Sequence, residues 1–413
     1  MLKYIWKNKI LLILLILGLW LVPHVIGLSE QSQTESIVTA IGIDKRNEEY
    51  EVSLQYIVPS ASGGAESLKI NTQKGKTVGE AIEKIKLQLG KLSGFAHCRF
   101  LVFSDSACEE NFTELLDFLL RRKTNTNNIV LVNTPDSSKE LLSISSKLDS
   151  DLYSFLDNNS SENEFGDFHN LKTIGDYYNV YFSPVKCLVV NRVNLKSSSS
   201  SGQTSTESSS SGGSGSEDEQ SSSESGNESK KEFENKGEQI ILKDNKKLVA
   251  LSEKESDDLL WFNPEIKRDQ FIVKNYSENN LKDVSILFNV LNKKLYKKAY
   301  FKNGKPCFDI NIRLYIRTGE IAGDNVVQQD YEVLQRKLSE KLKKAMTDVV
   351  LDSLKSAENN FKTNNYDVIE CYNTFYKFKN KELNNFLQNN PQAKENFINE
   401  VEFNYNIVFI QGH

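Results

Sequence analysis

One stretch of this 413-residue chain constrains its folding more than any other. Ser197–Ser229 is built of Ser, Gly and acid with almost no apolar side chain, so burial there cannot offset the entropy lost on ordering. Folding must happen on either side of it, and at ~150 residues per domain the length fits two or three domains. As a free coil its ends would lie ~30 Å apart, from ~5–6 Å × √33. It reads as a solvated spacer; a recognition tail is the alternative, supported by charge alone. The segment holds six acids and no base, so removing it from the net charge of −5 leaves the rest of the chain at about +1. No strongly basic body is present to neutralise phosphates, which argues against nucleic acid as a partner. With 38% hydrophobic and 26% charged residues, the flanks can form cores, which excludes wholesale disorder, a polytopic membrane protein and a collagen-like fibre.

The amino terminus bears on the compartment. Lys3, Lys7 and Lys9 precede 19 uncharged residues, Ile10–Leu28, which as a helix span ~28 Å against a hydrocarbon core of ~30 Å. Positive charge before the run and none just after it place the remaining chain outside the membrane. The run reads as an uncleaved anchor. Pro23-His24 and the small-residue stretch Val25-Ile26-Gly27 leave a cleaved signal segment as the alternative.

Beyond it, Ile37–Ile43 reads as a strand. Tyr50–Val58 alternates with period 2 until Pro59. Thr77-Val78-Gly79-Glu80 opens a helix as a capping box, with Val78, Ala81, Ile82, Ile85 and Leu89 on one face. A buried strand is expected at Cys98–Phe103, helices at Phe112–Arg122, Ser137–Leu148 and Leu171–Tyr181, and strands at Ile129–Val132 and Val185–Val190. After the Ser-rich stretch, Ile240–Leu242 and Leu248–Leu251 read as a hairpin, and Ser252-Glu253-Lys254-Glu255 as a second capping box. Strands are expected at Phe271–Val273 and Val284–Leu291. Asn303-Gly304 turns the chain into the alternating Phe308–Ile316. A long helix is expected from Asp330 to Phe361, carrying Leu334, Leu338, Leu342 and Met346 on its apolar face. The closing strand alternates Val401, Phe403, Tyr405, Ile407 and Phe409. The fold class is α+β: two mixed, largely antiparallel domains after an N-terminal helix, joined by a disordered Ser-rich linker. The boundaries are 1–35 for the anchor or signal, 36–195 for the first domain, 196–235 for the linker and 236–413 for the second.

Chemistry is hard to place. Cys98, Cys108, Cys187, Cys307 and Cys371 are scattered, and with His24, His97, His169 and His413 they make no zinc-ligand spacing. They read as buried thiols. No nucleophile elbow, phosphate loop or dinucleotide fingerprint is present. His97-Cys98 could suggest an activated thiolate, but neighbours on a strand point to opposite faces. Asp44 reads as a strand-ending turn residue. No position is singled out as catalytic, cofactor-binding or metal-ligating, and no cofactor is expected.

Several stretches together resemble one family, the Ger(x)C spore-germination proteins. Ile37-Val38-Thr39-Ala40-Ile41-Gly42-Ile43-Asp44-Lys45 is similar to their opening, and Gly94–Ser104 to their "gH…vviSe" strand. The helix ending Asp117–Arg122 also fits. Lys247–Glu255 through Leu259-Leu260-Trp261 resembles the start of their carboxy-terminal domain. Asp367–Lys379 and the last strand with Gly412 resemble its end. The resemblance implies the non-enzymatic C subunit of a nutrient germinant receptor. Such a subunit sits on the outer face of the spore inner membrane beside a membrane-embedded A-type and a transporter-like B-type subunit. Family members usually carry a lipid-modified Cys after the apolar segment. Here Gly27-Leu28-Ser29 stands in that region and no Cys occurs before Cys98, so a membrane-spanning helix would have to replace the lipid. The rival readings are an extracytoplasmic binding module for sugar or cell-wall fragments and, behind it, a tethered hydrolase.

Overall fold

A computed structural model describes residues 36–58, 68–90, 95–121, 126–145, 152, 155–156, 171–197, 231–263, 269–278, 281–323, 326 and 338–412. The apolar run at 10–28 and the Ser-rich stretch beyond Ser197 lie outside the described residues. Among the described residues no helix is long and apolar enough to cross a membrane.

The first sheet grows from a hairpin. Strands β1 (Ile37–Arg46) and β2 (Glu49–Ile57) pair antiparallel about Asn47-Glu48, whose φ values of 49° and 63° fit the right-handed twist of a two-residue turn. β3 (Leu68–Gly75) adds to β2. Helix α1 (Val78–Leu89) is capped by Thr77, whose hydroxyl accepts from Glu80 N at 3.1 Å. The Glu80 carboxylate reaches Lys76 N at 2.8 Å rather than closing the box on Thr77. The chain then enters β4 (Phe100–Ser104), α2 (Asp105–Cys108), α3 (Phe112–Leu120), β5 (Val130–Thr134), α4 (Ser138–Ser145) and α5 (Ile174–Tyr181). α5 opens on a closed capping box, Thr173 with Asp176. Sheet order is β3-β2-β1-β4-β5, and β1–β4 and β4–β5 run parallel because helices cross between them. β1 is central and buried on both faces. Ile41, Ile43, Val52 and Leu54 meet α1 and α3, whereas Ala40, Val102 and Val132 meet Leu141 and Leu142 of α4.

α4 approaches β1 closely at Gly42, where an added Cβ would lie 2.9 Å from both Leu142 Cδ1 and Ser138 Oγ. Beside it Asp44, 3% exposed, accepts from Ser137 Oγ at 2.9 Å, Ser138 N at 2.9 Å and Lys139 N at 3.4 Å. The expected turn residue is therefore a buried strand residue that satisfies the start of a helix 94 positions along the chain.

β6 (Cys187–Asn191), β7 (Asn194–Ser197), β8 (Lys231–Glu234), β9 (Gln239–Lys243) and β10 (Lys246–Leu251) follow. β9 pairs with β10 as the expected hairpin and with β6 on its other side. Period 2 then divides this sheet between two cores: Leu188, Val190, Ile240 and Leu242 enter the first, Cys187, Ile241 and Leu251 the second. β7 pairs with β8, with Ser197 opposite Lys231. Paired residues stand only about 5 Å apart, so the described residues flanking the Ser-rich stretch, Ser197 and Lys231, are held together and not spread over ~30 Å. The free-coil estimate took no account of a ladder fixing both flanks, and closing a loop of this length adds only a logarithmic entropy cost.

The second half contains α6 (Glu253–Leu260), β11 (Asp269–Glu278), β12 (Leu281–Lys302), β13 (Lys305–Ala322), α7 (Glu340–Thr363), α8 (Cys371–Phe378), α9 (Asn380–Asn389), α10 (Phe397–Glu400) and β14 (Glu402–Gln411). α6 opens on the expected capping box, Ser252 with Glu255. The sheet order is β11-β12-β13-β14, and the last pair is parallel because α7–α10 return the chain to the same end. Asn303-Gly304 forms the expected turn, with φ of 51° and 78°. One sheet face packs on Leu342, Met346, Val350, Leu354, Ala357 and Phe361 of α7.

The long helix begins at Glu340, not Asp330. Ser339 stops it from extending backwards by accepting from Leu342 N at 3.0 Å with its own φ/ψ extended; Asp330 and Leu334 lie outside the described residues. The strands expected at Phe271–Val273 and Val284–Leu291 are pieces of longer ones. β12 continues through a lysine-rich stretch because Lys293 and Lys297 point inward and find main-chain carbonyls. Lys293, 5% exposed, donates to Leu260 O over the Trp261 ring, and Lys297 donates to Ile369 O at 3.0 Å.

Candidate functional site

The two halves meet around the β9–β10 turn. Asp244 and Asn245 both have positive φ, 48° and 68°, which a two-residue hairpin turn requires. The turn is inserted into the first half: Asn245 O accepts from Phe112 N, and Asn245 Oδ1 accepts from Tyr177 OH at 3.0 Å. Thr113 Oγ1 lies 2.8 Å from the same phenol, and burial pushes Tyr177 up to about 12. Beside this contact Asp105 Oδ2 takes both Arg192 Nη2 and Lys247 Nζ, each at 2.6 Å. Arg192 is 8% exposed, and its Nε stands 3.9 Å from Glu238, too far for a hydrogen bond. This ion cluster joins the carboxy end of β4 to β10 across the junction.

Next to the junction lies a cleft of about 790 Å³. Its walls come from Pro184–Lys186, the turn at Lys243-Asp244, Asn365–Asp367, Tyr372 and Lys394–Ile398. The end of α7 shapes its floor. Asn365, with φ of 51°, follows the helix in the left-handed region, Asn365 N donates to Lys362 O, and Tyr366 N donates to Phe361 O. That is the helix-ending arrangement in which an apolar residue folds back on the last turn. Here the Tyr366 ring meets Phe361 at 6.3 Å and its hydroxyl donates to Asn360 Oδ1 at 2.6 Å. Lys243 reaches over from the hairpin to donate to Asn365 O. Asp367 accepts from Cys371 N at 2.9 Å and Tyr372 N at 2.8 Å, which caps α8. Burial raises its carboxyl above the ordinary range while those amides and Lys297 pull it back. Asp367 is thus committed to holding α8. The groups left facing the cleft are mainly Lys186, Lys394, Asp244 and Glu395, a mixed-charge rim around Tyr372 and Phe397.

His97 and Cys98 do not form a catalytic pair. Neither lies on a strand: His97 ends a short 3₁₀ turn, Phe95–His97, and is exposed, whereas Cys98 is buried with its thiol donating to Phe100 O at 3.5 Å. The strand begins two residues later than expected because Phe95, buried against Phe118, folds the preceding backbone into that turn. All five cysteines are buried, and burial pushes Cys98 and Cys108 up to about 12. At pH 8 that leaves roughly one part in 10⁴ as thiolate. The expected result is that a thiol-specific disulfide reagent modifies no cysteine of the native protein within minutes, and all five after unfolding in guanidinium. One fast native thiol would contradict this packing. Among the described residues no group of three or more His, Cys, Asp or Glu is placed to hold a metal ion.

Neither the cleft nor the ion cluster was foreseen from the sequence. The hairpin at Lys243–Lys247 was legible, but nothing local marks its turn as the piece inserted into the other half. Asp105, Arg192 and Lys247 are spread over more than 140 positions.

Residues 30–195 match the family described as the spore germination protein N-terminal domain, and residues 236–409 match that described as spore germination B3/GerAC like, C-terminal. A solved structure described as "Crystal Structure of the GerBC protein" aligns over 93% of this chain and 100% of its own, with 13% identity and a TM-score of 0.49. No curated protein matches the chain.

Proposed function

The chain belongs to the spore germination family of which these two domains are the halves, and from that premise we propose that it is the C subunit of a nutrient germinant receptor. It acts without catalysis, through contacts with a membrane-embedded A-type and a transporter-like B-type subunit. The apolar run at 10–28 holds it to the outer face of the spore inner membrane. Its proposed domains are 36–195 and 236–413. The observation that carries this reading is the presence of both family domains, in order, on the two sides of the Ser-rich stretch. The inserted hairpin and the shared β6–β9–β10 sheet suit a subunit that presents both halves to its partners in one fixed arrangement.

The test is a gentle-detergent pull-down of the tagged chain from membranes of sporulating cells, with mass spectrometry of the co-purifying proteins. Both receptor subunits are expected, and both should be lost when residues 1–28 are replaced by a cytoplasmic start. A membrane-bound chain that brings neither subunit overturns the receptor role.

The cleft favours a second reading, a binding module for a small polar ligand. It combines Tyr372 and Phe397 with charged groups of both signs on its rim. Calorimetry with amino acids, sugars and cell-wall fragments decides it: saturable heat that Lys394→Glu abolishes supports binding, and no heat with any of them removes this reading.

A further inference from the structure

Among the described residues, the sheet of the second half is covered on one face, by α7 and the helices that follow it. A solvated sheet face is ordinarily polar, yet Ile272, Leu291, Tyr296 and Val408 all lie on the outer side of this sheet. They are 44%, 40%, 52% and 41% exposed. Leu291 leans over the end of β14, where a Cβ added to Gly412 would meet its Cδ1 at 2.7 Å.

The charges on the same face are equally unusual. Lys294 stands directly opposite Arg313 on the neighbouring strand, and Arg317 stands opposite Asn289. All three cations are exposed, and none has a carboxylate partner among the described residues. Like charges facing each other across a ladder are destabilising. Instead of acids these cations meet tyrosine rings: Lys294 is 5.5 Å from the Tyr315 centroid, and Arg313 is 5.8 Å from that of Tyr296. The face's acids lie toward its two ends: Asp309 and Glu402 near the Asn303-Gly304 turn, beside Lys298, and Glu320 at the other end of β13. The stretch between them, around Lys294, Arg313 and Arg317, is cationic, aromatic and aliphatic. Tyrosine and basic side chains with scattered aliphatics suit the headgroup layer of a bilayer, and anionic headgroups would supply the counter-charge that the facing Lys294 and Arg313 lack.

We propose that the outer face of the β11–β14 sheet rests on anionic lipid headgroups of the membrane that holds the chain. This rests on the membrane-facing part of the function proposed above, and it adds an orientation, with α7 turned away from the bilayer.

The test uses the full chain with a fluorophore on Asn406→Cys, an exposed position midway along the edge strand β14 of this face. Leu87→Cys on α1, 83% exposed, serves as the control position. The native thiols are buried and leave the label site-specific. Vesicles carry a headgroup-attached quencher in phosphatidylcholine, with or without about 30 mol% phosphatidylglycerol. The expected result is quenching at position 406 at least about threefold stronger with phosphatidylglycerol. It should be lost in the K294E/R313E/R317E variant and in high salt, with little quenching at position 87 throughout. The three side chains are exposed, and unchanged thiol protection verifies that the variant folds. Equal quenching in both vesicle types, insensitivity to the charge reversals, or equal quenching at both positions overturns the proposal. So does a variant that quenches normally but loses the receptor subunits in the pull-down, because the face would then be a protein interface. The pull-down of the unaltered chain reads the receptor role separately, so the two ideas can fail independently.

Discussion

Asp105→Ala is expected to destabilise the chain by about 3 kcal/mol, the lower end of the ~3–5 kcal/mol lost when one partner of a buried ion pair is removed. The lower end applies because the Asp105 and Lys247 side chains remain 22% and 19% exposed. The cost arises from what is left behind. Arg192, at 8% exposure, keeps its charge and loses its one close carboxylate, since Glu238 stands at 3.9 Å. Urea unfolding followed by tryptophan fluorescence measures the change, with Trp261 in the second core as reporter. The double variant Asp105→Ala/Arg192→Met should recover a substantial part of the loss, because no unpaired guanidinium then remains at the junction. A single-variant effect within ~0.5 kcal/mol would mean that solvent already screens the cluster. A clear effect without recovery in the double variant would assign the loss to packing.

Asp44→Ala ranks next, at about 2–3 kcal/mol. Three donors lose their acceptor: Ser137 Oγ, Ser138 N and Lys139 N. An N-cap is ordinarily worth ~0.5–2 kcal/mol, and a buried donor left unsatisfied adds ~1–3 kcal/mol. Water cannot readily replace the carboxylate, because Asp44 is 3% exposed and Gly42 draws α4 tightly onto β1. The neighbouring β1–β2 ladder is unaffected, so the damage should be local. Amide exchange at Ser138 and Lys139 is expected to accelerate far more than at Ile43. Asp44→Asn keeps an acceptor without the charge and should lose roughly half as much. Uniform acceleration across the first sheet would show instead that α4 and the sheet open as one unit.

These two aspartates show where local sequence information ends. Asp44 follows Ile41-Gly42-Ile43 as a turn residue would, and only the arrival of α4 explains a carboxylate inside a strand. Asp105 sits where a short helix begins and carries no local sign that Arg192 and Lys247 will converge on it. The cleft is assembled from separate stretches between Pro184 and Ile398, and no spacing along the chain could identify it. The strand expected at Val284–Leu291 stops short of the lysine-rich part of β12, where two of the lysines turn inward to carbonyls supplied by Leu260 and Ile369.

By itself the sequence determined whatever depends on neighbours within about one turn or one pleat. That includes the caps at Thr77 and Ser252, the Asn303-Gly304 turn, and the alternation of Val52–Tyr56 and Phe308–Ile316. It also includes the division into two halves around a stretch too polar to bury itself, and the motifs whose order marks the family. Tertiary structure alone decided the parallel pairings and the sharing of β6, β9 and β10 between two cores. It also decided the clamping of Ser197 against Lys231 and the roles of Asp44, Asp105 and the inward lysines. The reason is physical. Periodicity, caps and turn residues are set by local backbone geometry and are written into consecutive residues. A buried charge or a sheet edge, in contrast, finds its partner tens of residues away, and its energy is defined only once the chain has closed around it.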